Sequence, residues 1–225
     1  MTALELSKLK KYYKAPDGHR HCVINIAGFS LDRGEHVALE GASGSGKTTL
    51  LNLIAGIVSP DSGSIRVGDT DMAALGETRR DHVRASSIGY IHQTFNLLQG
   101  LSALENVLMA MSFGKGADEK VAASLLERVG LGGRMHHRPA QLSSGQQQRV
   151  AVVRALANRP GLVLADEVTS SLDSKLSIET VTLIRELCRE NGAALLLASH
   201  DHTALSRFER TLRLEDINSP AETAL

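Results

Sequence analysis

The segment from Gly41 to Thr48 constrains the fold of this chain more than any other part of the sequence. It reads Gly-Ala-Ser-Gly-Ser-Gly-Lys-Thr and fits the pattern G-x-x-x-x-G-K-[ST] of phosphate-binding loops. Glycines let such a loop turn tightly, so that successive backbone N–H groups converge on phosphate oxygens. Lys47 would bring a positive charge to the β- and γ-phosphates of a nucleotide, and the Thr48 hydroxyl can ligate Mg²⁺.

The residues on either side of this loop agree with a phosphate site. Residues 37–39 are typical of a buried strand, and residues 50–54 of a helix whose positive N-terminal end would face an anion. A Gly- and Ser-rich linker would match the pattern by accident with odds of about one in a hundred. The sequence therefore predicts a nucleotide phosphate site. Its contact residues would be Gly41, Ser43, Gly44, Ser45, Gly46, Lys47, Thr48 and Thr49.

Length and composition favour one compact folded unit of 225 residues, 42% hydrophobic and 22% charged. Lys+Arg and Asp+Glu both total 25 and aromatic residues make up only 3%, so no nucleic-acid surface is indicated. Cys22 and Cys188 have no metal-like spacing and are expected to be small buried hydrophobes in a reducing compartment. No apolar run approaches the ~20 residues that span a bilayer, and no signal-peptide pattern opens the chain. We therefore expect a cytosolic protein that reaches a membrane only through a partner.

Residues 1–40 are predicted to form short strands, with a polar turn at residues 16–18. Tyr12 and Tyr13 lie just ahead of that turn, in a chain that is poor in aromatic residues. They suggest a platform for a base, because base–aromatic stacking contributes roughly 1–3 kcal/mol and tolerates different bases. An ordinary strand tyrosine fits the spacing equally well, so both interpretations stay open.

The middle of the chain changes from strands to helices. Residues 64–67 are predicted as an edge strand after a turn at 59–63, and residues 88–91 as a strand that leads into His92 and Gln93. Between them, residues 71–87 include an exposed helix with a basic cluster that we interpret as a solvated face. That cluster consists of Arg79, Arg80 and Arg84. Residues 96–158 show helical spacing of their apolar residues.

The run Leu162–Glu167 predicts a buried strand whose tip carries two carboxylates. Asp166 would hold Mg²⁺ directly or through water. Glu167 can point at a γ-phosphate and polarise an attacking water as a general base. A pair of helix N-cap carboxylates is the alternative, and the phosphate loop elsewhere in the chain favours the catalytic interpretation.

A second buried strand is predicted over residues 193–198, and His200 lies at its end. A lone histidine is more often structural, but its position at a strand end beside the nucleotide favours a hydrogen bond from His200 to a γ-phosphate. The other histidines have no metal-ligand spacing. Residues 215–225 are predicted to form a polar, frayed tail.

Another candidate anion site begins at Leu142, where Leu-Ser-Ser-Gly-Gln leads into a helix. Small polar residues and a glycine at a helix start can bind an anion through the N-terminal dipole. As an isolated pattern this is weak.

Taken in order, these elements resemble the ATPase subunit of ATP-binding-cassette (ABC) transporters over nearly the whole chain. The resemblance implies an α/β fold, a P-loop NTPase of ABC type with a mainly parallel central sheet flanked by helices. It also implies an N-terminal antiparallel β subdomain and a helical subdomain. The single domain 1–225 would divide into a core of residues 1–93 and 158–214, a helical subdomain of residues 94–157 and a tail of residues 215–225.

The resemblance also implies roles for particular residues. Tyr13 would stack on adenine, with Tyr12 as the alternative, and Gln93 would ligate Mg²⁺ and sense a membrane partner. Two copies of the chain would sandwich two ATP molecules head to tail. The signature segment of each copy, Ser143, Ser144, Gly145 and Gln146, would contact the γ-phosphate bound by the other. Asp173 would lie at the dimer interface, and His200 would be the switch histidine beside the catalytic residues Lys47, Gln93 and Glu167.

Three positions depart from the family pattern. Ser144 stands where a glycine is more frequent, Val168 where a proline is customary, and His92 where an aromatic residue is common. A serine keeps its backbone N–H, and Val168 loosens a loop without removing a catalytic group. All catalytic groups are present, so we expect an active ATPase.

Residues 84–93, 95–98 and 101–107 are similar to ATPases of the lipoprotein-releasing and macrolide-efflux (LolD/MacB/FtsE) group. This implies a subunit on the cytoplasmic face of the inner membrane that powers a permease for export or for periplasmic mechanical work. The alternative is an ATP-gated signalling scaffold without transport. A DNA-repair ATPase is rejected, because residues 49–141 contain no sustained heptads and no cysteine clusters.

Overall fold

The computed structural model describes residues 1–14, 19–114, 116–170 and 172–220. The predicted turn at 16–18, Ser171 and the tail beyond residue 220 lie outside the described residues. The strands are β1 (Thr2–Lys14), β2 (Arg20–Asp32), β3 (His36–Glu40), β4 (Ser62–Val67), β5 (Thr70–Asp71), β6 (Ile88–Ile91), β7 (Leu162–Asp166), β8 (Ala194–Ser199) and β9 (Arg210–Arg213). The α-helices are α1 (Lys47–Ile54), α2 (Glu77–Ser87), α3 (Ala103–Ser112), α4 (Glu119–Arg128), α5 (Ser144–Leu156), α6 (Ser174–Asn191), α7 (His202–Leu205) and α8 (Leu214–Ile217).

The first sheet is antiparallel, with strand order β2-β1-β4-β5. The prediction of short strands over residues 1–40 is wrong for β1 and β2, which run for 13 residues each. Irregularities in their register, as between Lys11 and Tyr12, let the pairing continue. β4 is also not an edge strand, because the two-residue β5 pairs with its outer side.

The second sheet is parallel, with strand order β6-β7-β8-β3-β9. β7 and β8 are buried along their whole length, as expected for strands that have both faces covered. One face packs in a core with α1 and the antiparallel sheet, and the other packs against α3, α4, α5 and α6. The carboxyl ends of the parallel strands therefore share one edge, where their following loops meet.

The basic cluster on α2 is only partly a solvated face. Arg79 is exposed. Arg80, however, donates hydrogen bonds to Ser59 Oγ at 2.7 Å and to the Leu75 carbonyl at 2.8 Å. Arg84 pairs with Asp81 at 2.6 Å and is half-buried. The solvated-face prediction is therefore wrong for Arg80 and Arg84, whose guanidinium groups hold loop and helix groups together.

The prediction of a frayed tail from residue 215 is wrong for its first part. Helix α8 places Asn218 beside β2, the outer strand of the antiparallel sheet, where its side chain is buried. Asn218 Nδ2 donates to the Val23 carbonyl at 2.9 Å, and its Oδ1 accepts from the Asn25 N–H at 2.6 Å. The tail thereby satisfies backbone groups that the edge of the sheet leaves unpaired.

Both cysteines are free thiols. Cys188, on α6, is buried, and burial raises the pKa of its thiol to about 12. Cys22 is half-buried on β2, directly opposite Tyr12. Within the described ranges, none of the helices has the length and apolar character needed to cross a bilayer.

Replacing Asn218 with alanine should lower the free energy of unfolding by about 1–3 kcal/mol, because two strand groups lose their partner. Urea unfolding followed by circular dichroism measures this change. Glu215→Ala, at a 75% exposed side chain one turn away, is the matched control and should shift stability by less than about 0.5 kcal/mol. Equal stabilities of the Asn218→Ala variant and the parent would contradict the role assigned to this contact.

Candidate nucleotide site

The parallel register brings four loops to one place. Asp166, at the end of β7, lies opposite Ala198 of β8, and Glu40, at the end of β3, lies opposite Ser199. The phosphate loop follows Glu40 directly, and His200 follows Ser199. Ile91, at the end of β6, lies opposite Ala165 on the other side of β7, so Gln93 starts from the same edge.

The phosphate loop is tightly folded, and two of its glycines occupy positions where a side chain would cause strain or a close contact. Gly46 has φ +104°, a left-handed conformation that a side chain strains, and immediately precedes α1. A Cβ on Gly41 would lie 2.7 Å from Ser45 Oγ, so the Ser45 side chain would have to move to make room for one. α1 begins at Lys47, three positions before the predicted start, and its N-terminal end faces the loop.

Lys47 is a buried cation, 4% exposed, with three oxygen partners. Its Nζ donates to the carbonyls of Gly41 at 2.6 Å and Ala42 at 2.9 Å. The same Nζ lies 3.0 Å from Glu167 Oε1. A buried ammonium needs such partners, since an unpaired one would be costly to keep out of water.

Glu167 has an unusual backbone, with φ +48° in a non-glycine residue. Its N–H donates to the Ala198 carbonyl at 2.9 Å, which holds this conformation in place. Such strain costs of order 1–3 kcal/mol and occurs mainly at functional sites. It aims the carboxylate between two side chains: Oε1 at the Lys47 ammonium, and Oε2 at His200 Nδ1, 2.8 Å away. Among the described residues Oε2 accepts no hydrogen bond of acceptable geometry, so a further partner can bind there.

Asp166 is 5% exposed, and burial raises the pKa of its carboxyl, as does the neighbouring Glu167. The hydroxyls of Thr48 and Tyr90 act in the opposite direction. Burial, followed by the charge of Asp166, raises the pKa of the Tyr90 phenol, which donates to Asn52 Oδ1 at 3.1 Å. Asp166 Oδ1 is buried and has no hydrogen-bond partner within the part of the chain that the structure describes. An orphaned carboxylate oxygen of this kind fits a cation.

Gln93 and His200 complete the group of side chains at this edge. Gln93 is exposed, and its Nε2 donates to Ser170 Oγ at 3.1 Å, in the loop that follows β7. The His200 side chain is 53% exposed, so it can contact both Glu167 and a bound molecule. His200 also lines a cleft with Gly41 and Ser45 of the phosphate loop.

The two tyrosines of β1 differ in their surroundings. The Tyr12 ring is covered by the Arg20 guanidinium, 4.9 Å from its centroid, and its N–H donates to Asp61 at 2.8 Å. The Tyr13 ring is 43% exposed, with the Lys11 ammonium 5.5 Å from its centroid. Tyr13 therefore offers the more open ring face, and Tyr12 has contacts that suit a structural residue.

The signature segment lies elsewhere in the same copy. Ser143 caps α5: its Oγ accepts from the Gln146 N–H at 3.3 Å, and Gln146 Oε1 accepts from the Ser143 N–H at 3.0 Å. Ser143 and Ser144 are exposed, and Gly145 is half-buried. With Gln146, the segment borders a cavity between α4, α5 and α6 that includes no phosphate-loop residue.

Asp173 is likewise exposed and caps α6 through the Leu176 N–H at 2.9 Å. The structure thus brings together the phosphate loop, Asp166, Glu167, Gln93 and His200. It does not bring the signature segment to them.

The three residues that depart from the family pattern lie in different environments. His92 stacks on Tyr90 with ring centroids 4.1 Å apart, so it fills the place of an aromatic side chain. Burial and then the charge of Arg154 lower the pKa of His92. Val168 is 3% exposed and belongs to the core, and Ser144 faces solvent in the first turn of α5.

Two further site residues, Asn52 and Tyr90, were not anticipated from the sequence. Tyr90 lies inside a predicted strand and Asn52 inside a predicted helix, so neither pattern marks them as polar partners. A strand alternation that places Tyr90 on the face opposite Ile91 is the one signal that points toward its role.

A phosphate loop after one parallel strand and an acidic tip on another define a P-loop nucleotide triphosphatase. The family described as ABC transporter matches residues 24–170. The chain belongs to the ABC transporter family.

Individual relatives agree with this membership. The lipoprotein-releasing system ATP-binding protein LolD of Pseudomonas syringae pv. tomato is 42% identical over 211 residues, 92% of this chain and 91% of the relative. The macrolide export ATP-binding/permease protein MacB of Rhodopirellula baltica is 39% identical over 218 residues, 95% of this chain and 32% of that longer protein. A dimeric post-hydrolysis structure of the ATP-binding cassette MJ0796, bound to ADP and Pi, has a TM-score of 0.86 and 33% identity, covering 97% of each chain. These findings confirm the predicted fold class and the prediction of an ATP-hydrolysing subunit of the LolD/MacB group.

The raised pKa of Asp166 predicts an unusual pH dependence. The folded state holds this proton more tightly than the unfolded chain, so stability falls as pH rises from the ordinary aspartate pKa, about 3.9, to the raised folded value. The Asp166→Asn variant has no such carboxyl and should not lose this stability. The free energy of unfolding of the variant minus that of the parent should therefore increase as pH rises through this range.

Urea unfolding in chelator at a series of pH values measures the difference. Asp61→Asn is the control of opposite sign, because the Tyr12 N–H, Lys11 and Arg20 lower the pKa of Asp61. That variant should lose stability relative to the parent as pH rises. If the difference in unfolding free energy between Asp166→Asn and the parent does not change with pH, the raised pKa of Asp166 in the folded state is contradicted.

Proposed function

We propose that two copies of this chain close around two Mg·ATP molecules and that hydrolysis drives an integral membrane permease. The observation that carries the proposal is the convergence of Lys47 and Glu167 beside the phosphate loop. The orphaned oxygen of Asp166 next to them supports it. The chain would then lie at the cytoplasmic face of the inner membrane through its permease.

The residues at the strand ends fit Mg²⁺, a cation that prefers oxygen ligands. Asp166 Oδ1, the Thr48 hydroxyl and the Gln93 amide oxygen would hold it. Bound there, Mg²⁺ would neutralise charge on the β- and γ-phosphates.

Phosphate binding would rearrange the Lys47 ion pair. The triphosphate competes with Glu167 for the Lys47 ammonium, which is 3.0 Å from Glu167 Oε1. Once Lys47 turns to the phosphates, Glu167 can accept a proton from the attacking water as general base. His200, 2.8 Å from Glu167 Oε2, would orient this carboxylate and donate a hydrogen bond to the γ-phosphate. Tyr13 would stack on the adenine.

The position of the signature segment supports a two-copy site. Ser143, Ser144, Gly145 and Gln146 stand at a helix N-terminus, where backbone N–H groups favour an anion. The cavity that this segment borders includes no residue of its own phosphate loop, so an anion bound by a second copy would be its ligand. Asp173 would lie at the resulting two-fold interface. The MJ0796 cassette is dimeric in its post-hydrolysis state with ADP and Pi bound, which agrees with this arrangement.

The partner is proposed from the relatives. LolD is named as the ATP-binding protein of a lipoprotein-releasing system, and MacB as a macrolide export ATP-binding/permease protein. The similarity extends over 91% of LolD and over 32% of MacB, and both relatives favour an ATPase that works with a permease. Isolating the membrane protein that copurifies with the tagged chain would identify that permease.

Replacing Lys47 with alanine should weaken ATP binding by roughly a hundredfold, because charge-assisted bonds to the phosphates are lost. Isothermal titration calorimetry with ATP and Mg²⁺ measures the affinity. Lys120→Ala, at an exposed position of α4, is the control and should bind as the parent does. Unchanged affinity in the Lys47→Ala variant would exclude this loop as the phosphate site.

Replacing Glu167 with glutamine should lower kcat by about 10²–10⁴-fold while ATP still binds, since the general base is lost. The trapped ATP should hold two copies together, which light scattering after gel filtration in Mg·ATP detects. Glu5→Gln, on the exposed side of β1, is the matched control and should keep the parent rate. A variant that stays monomeric at saturating ATP would refute the two-copy model.

A further inference from the structure

The segment that follows Gln93 is held by helices and not by the strand that precedes it. On α5, Arg154 donates from Nη1 to the Asn96 carbonyl at 2.5 Å and from Nη2 to the Phe95 carbonyl at 2.9 Å. On α3, Asn106 accepts from the Leu98 N–H at 2.8 Å and donates to the Leu98 carbonyl at 3.2 Å. Residues 95–98 are therefore clamped to the helices at both ends.

Arg154 makes this clamp with a charge that has no counter-ion. Its side chain is half-buried, and burial lowers the pKa of its guanidinium. In the described parts of the chain no carboxylate lies within ion-pair distance of it. Burying an uncompensated charge is costly, and an apolar side chain would fill the space more favourably. The planar guanidinium, however, holds two successive carbonyls at once through two separate nitrogens in a fixed fork, which an apolar side chain cannot do.

The other side of Gln93 belongs to the parallel sheet. Ile91 pairs with Ala165 of β7, so the chain passes from the sheet to the clamp within residues 92–94. Fully extended, that stretch spans only about 10 Å. Any shift of α5 relative to the sheet must be taken up in this stretch, and Gln93 is its central residue.

Helix α5 also carries the signature segment at its opposite end. Ser143 caps its first turn, and Arg154 lies in its last. At about 1.5 Å per residue, the two are separated by about 16 Å along one continuous helix. A single rigid element thus joins the signature segment to the segment that follows Gln93.

We propose that Arg154 is a positioning residue that makes the Gln93 segment move with α5. Gln93 would then reach its own nucleotide in the catalytic geometry only when the signature end of α5 is seated on the nucleotide of the second copy. This inference rests on the proposed function, since it needs two copies that exchange signature segments.

A double-mutant cycle on the full chain tests the coupling. Arg154→Gln should lower kcat for Mg·ATP hydrolysis by about tenfold to a hundredfold, because a misplacement of about 1 Å is enough for such a loss. Its ATP affinity, measured by calorimetry, should stay within about twofold, since the phosphate loop is untouched. In a Gln93→Ala background, the same Arg154→Gln change should cost less than about twofold in kcat, because two residues that act as one unit are not additive.

The matched control is Arg149→Gln on the same helix. Arg149 also donates to a backbone carbonyl, that of Val129 at 3.0 Å, but it does not touch the Gln93 segment. Arg149→Gln should lower the melting temperature about as much as Arg154→Gln and keep kcat within about twofold of the parent. Arg154→Lys, which keeps the charge without the fork, should be intermediate in kcat. If Arg154→Gln does not fold, Arg154→Lys is compared with the parent and with Arg149→Gln in its place.

The outcomes separate this inference from the proposed function. Multiplicative losses in the Gln93 and Arg154 double variant, or an equal loss of kcat in Arg149→Gln, would overturn the positioning role in an otherwise active dimer. If the parent protein does not hydrolyse ATP and the Glu167→Gln variant does not dimerise in Mg·ATP, the proposed function is overturned, and this inference with it.

Discussion

The parallel register of β3, β7 and β8 is the constraint on which the site depends. It sets Asp166 opposite Ala198, so that Glu167 can donate its N–H to that same residue. It also ends β3 level with β8, which places the phosphate loop and Lys47 beside Glu167. β7 and β8 are buried on both faces, so a slip in register would carry apolar side chains out of two packed layers. The geometry of the charged groups is therefore secured by strands that contain hardly any charge themselves.

Several unsatisfied polar atoms and one strained backbone lie at the site. Ser45 Oγ, Asp166 Oδ1 and Glu167 Oε2 are buried without hydrogen-bond partners among the residues that the structure describes. Glu167 also has a left-handed backbone. A buried polar atom without a partner is costly, so each of these calls for an explanation. In the proposed reaction, these atoms would bind the phosphates, the cation and the attacking water.

Local patterns in the sequence were enough for the features that are local in the structure. The phosphate loop, the apolar runs of β7 and β8 and the acidic tip at Asp166 each depend on a few consecutive residues. Features that depend on distant pairing escaped: the full length of β1 and β2, the cover that β5 provides for β4, and the burial of Asn218 against Val23 and Asn25. The sequence also left open whether Tyr12 or Tyr13 offers the free ring face, because only the folded chain places Arg20 over the Tyr12 ring.

The different burial of the two cysteines makes the chain suited to site-selective labelling. A maleimide is attacked by the thiolate form of a cysteine, and a buried Cys188 with a pKa of about 12 supplies almost no thiolate at neutral pH. Cys22 is the accessible thiol, paired across the sheet with Tyr12 and one position from the partner of Tyr13. A fluorophore attached there would sit next to the proposed adenine platform. The natural sequence thus already provides an attachment site for an optical probe of nucleotide binding, and no cysteine has to be introduced.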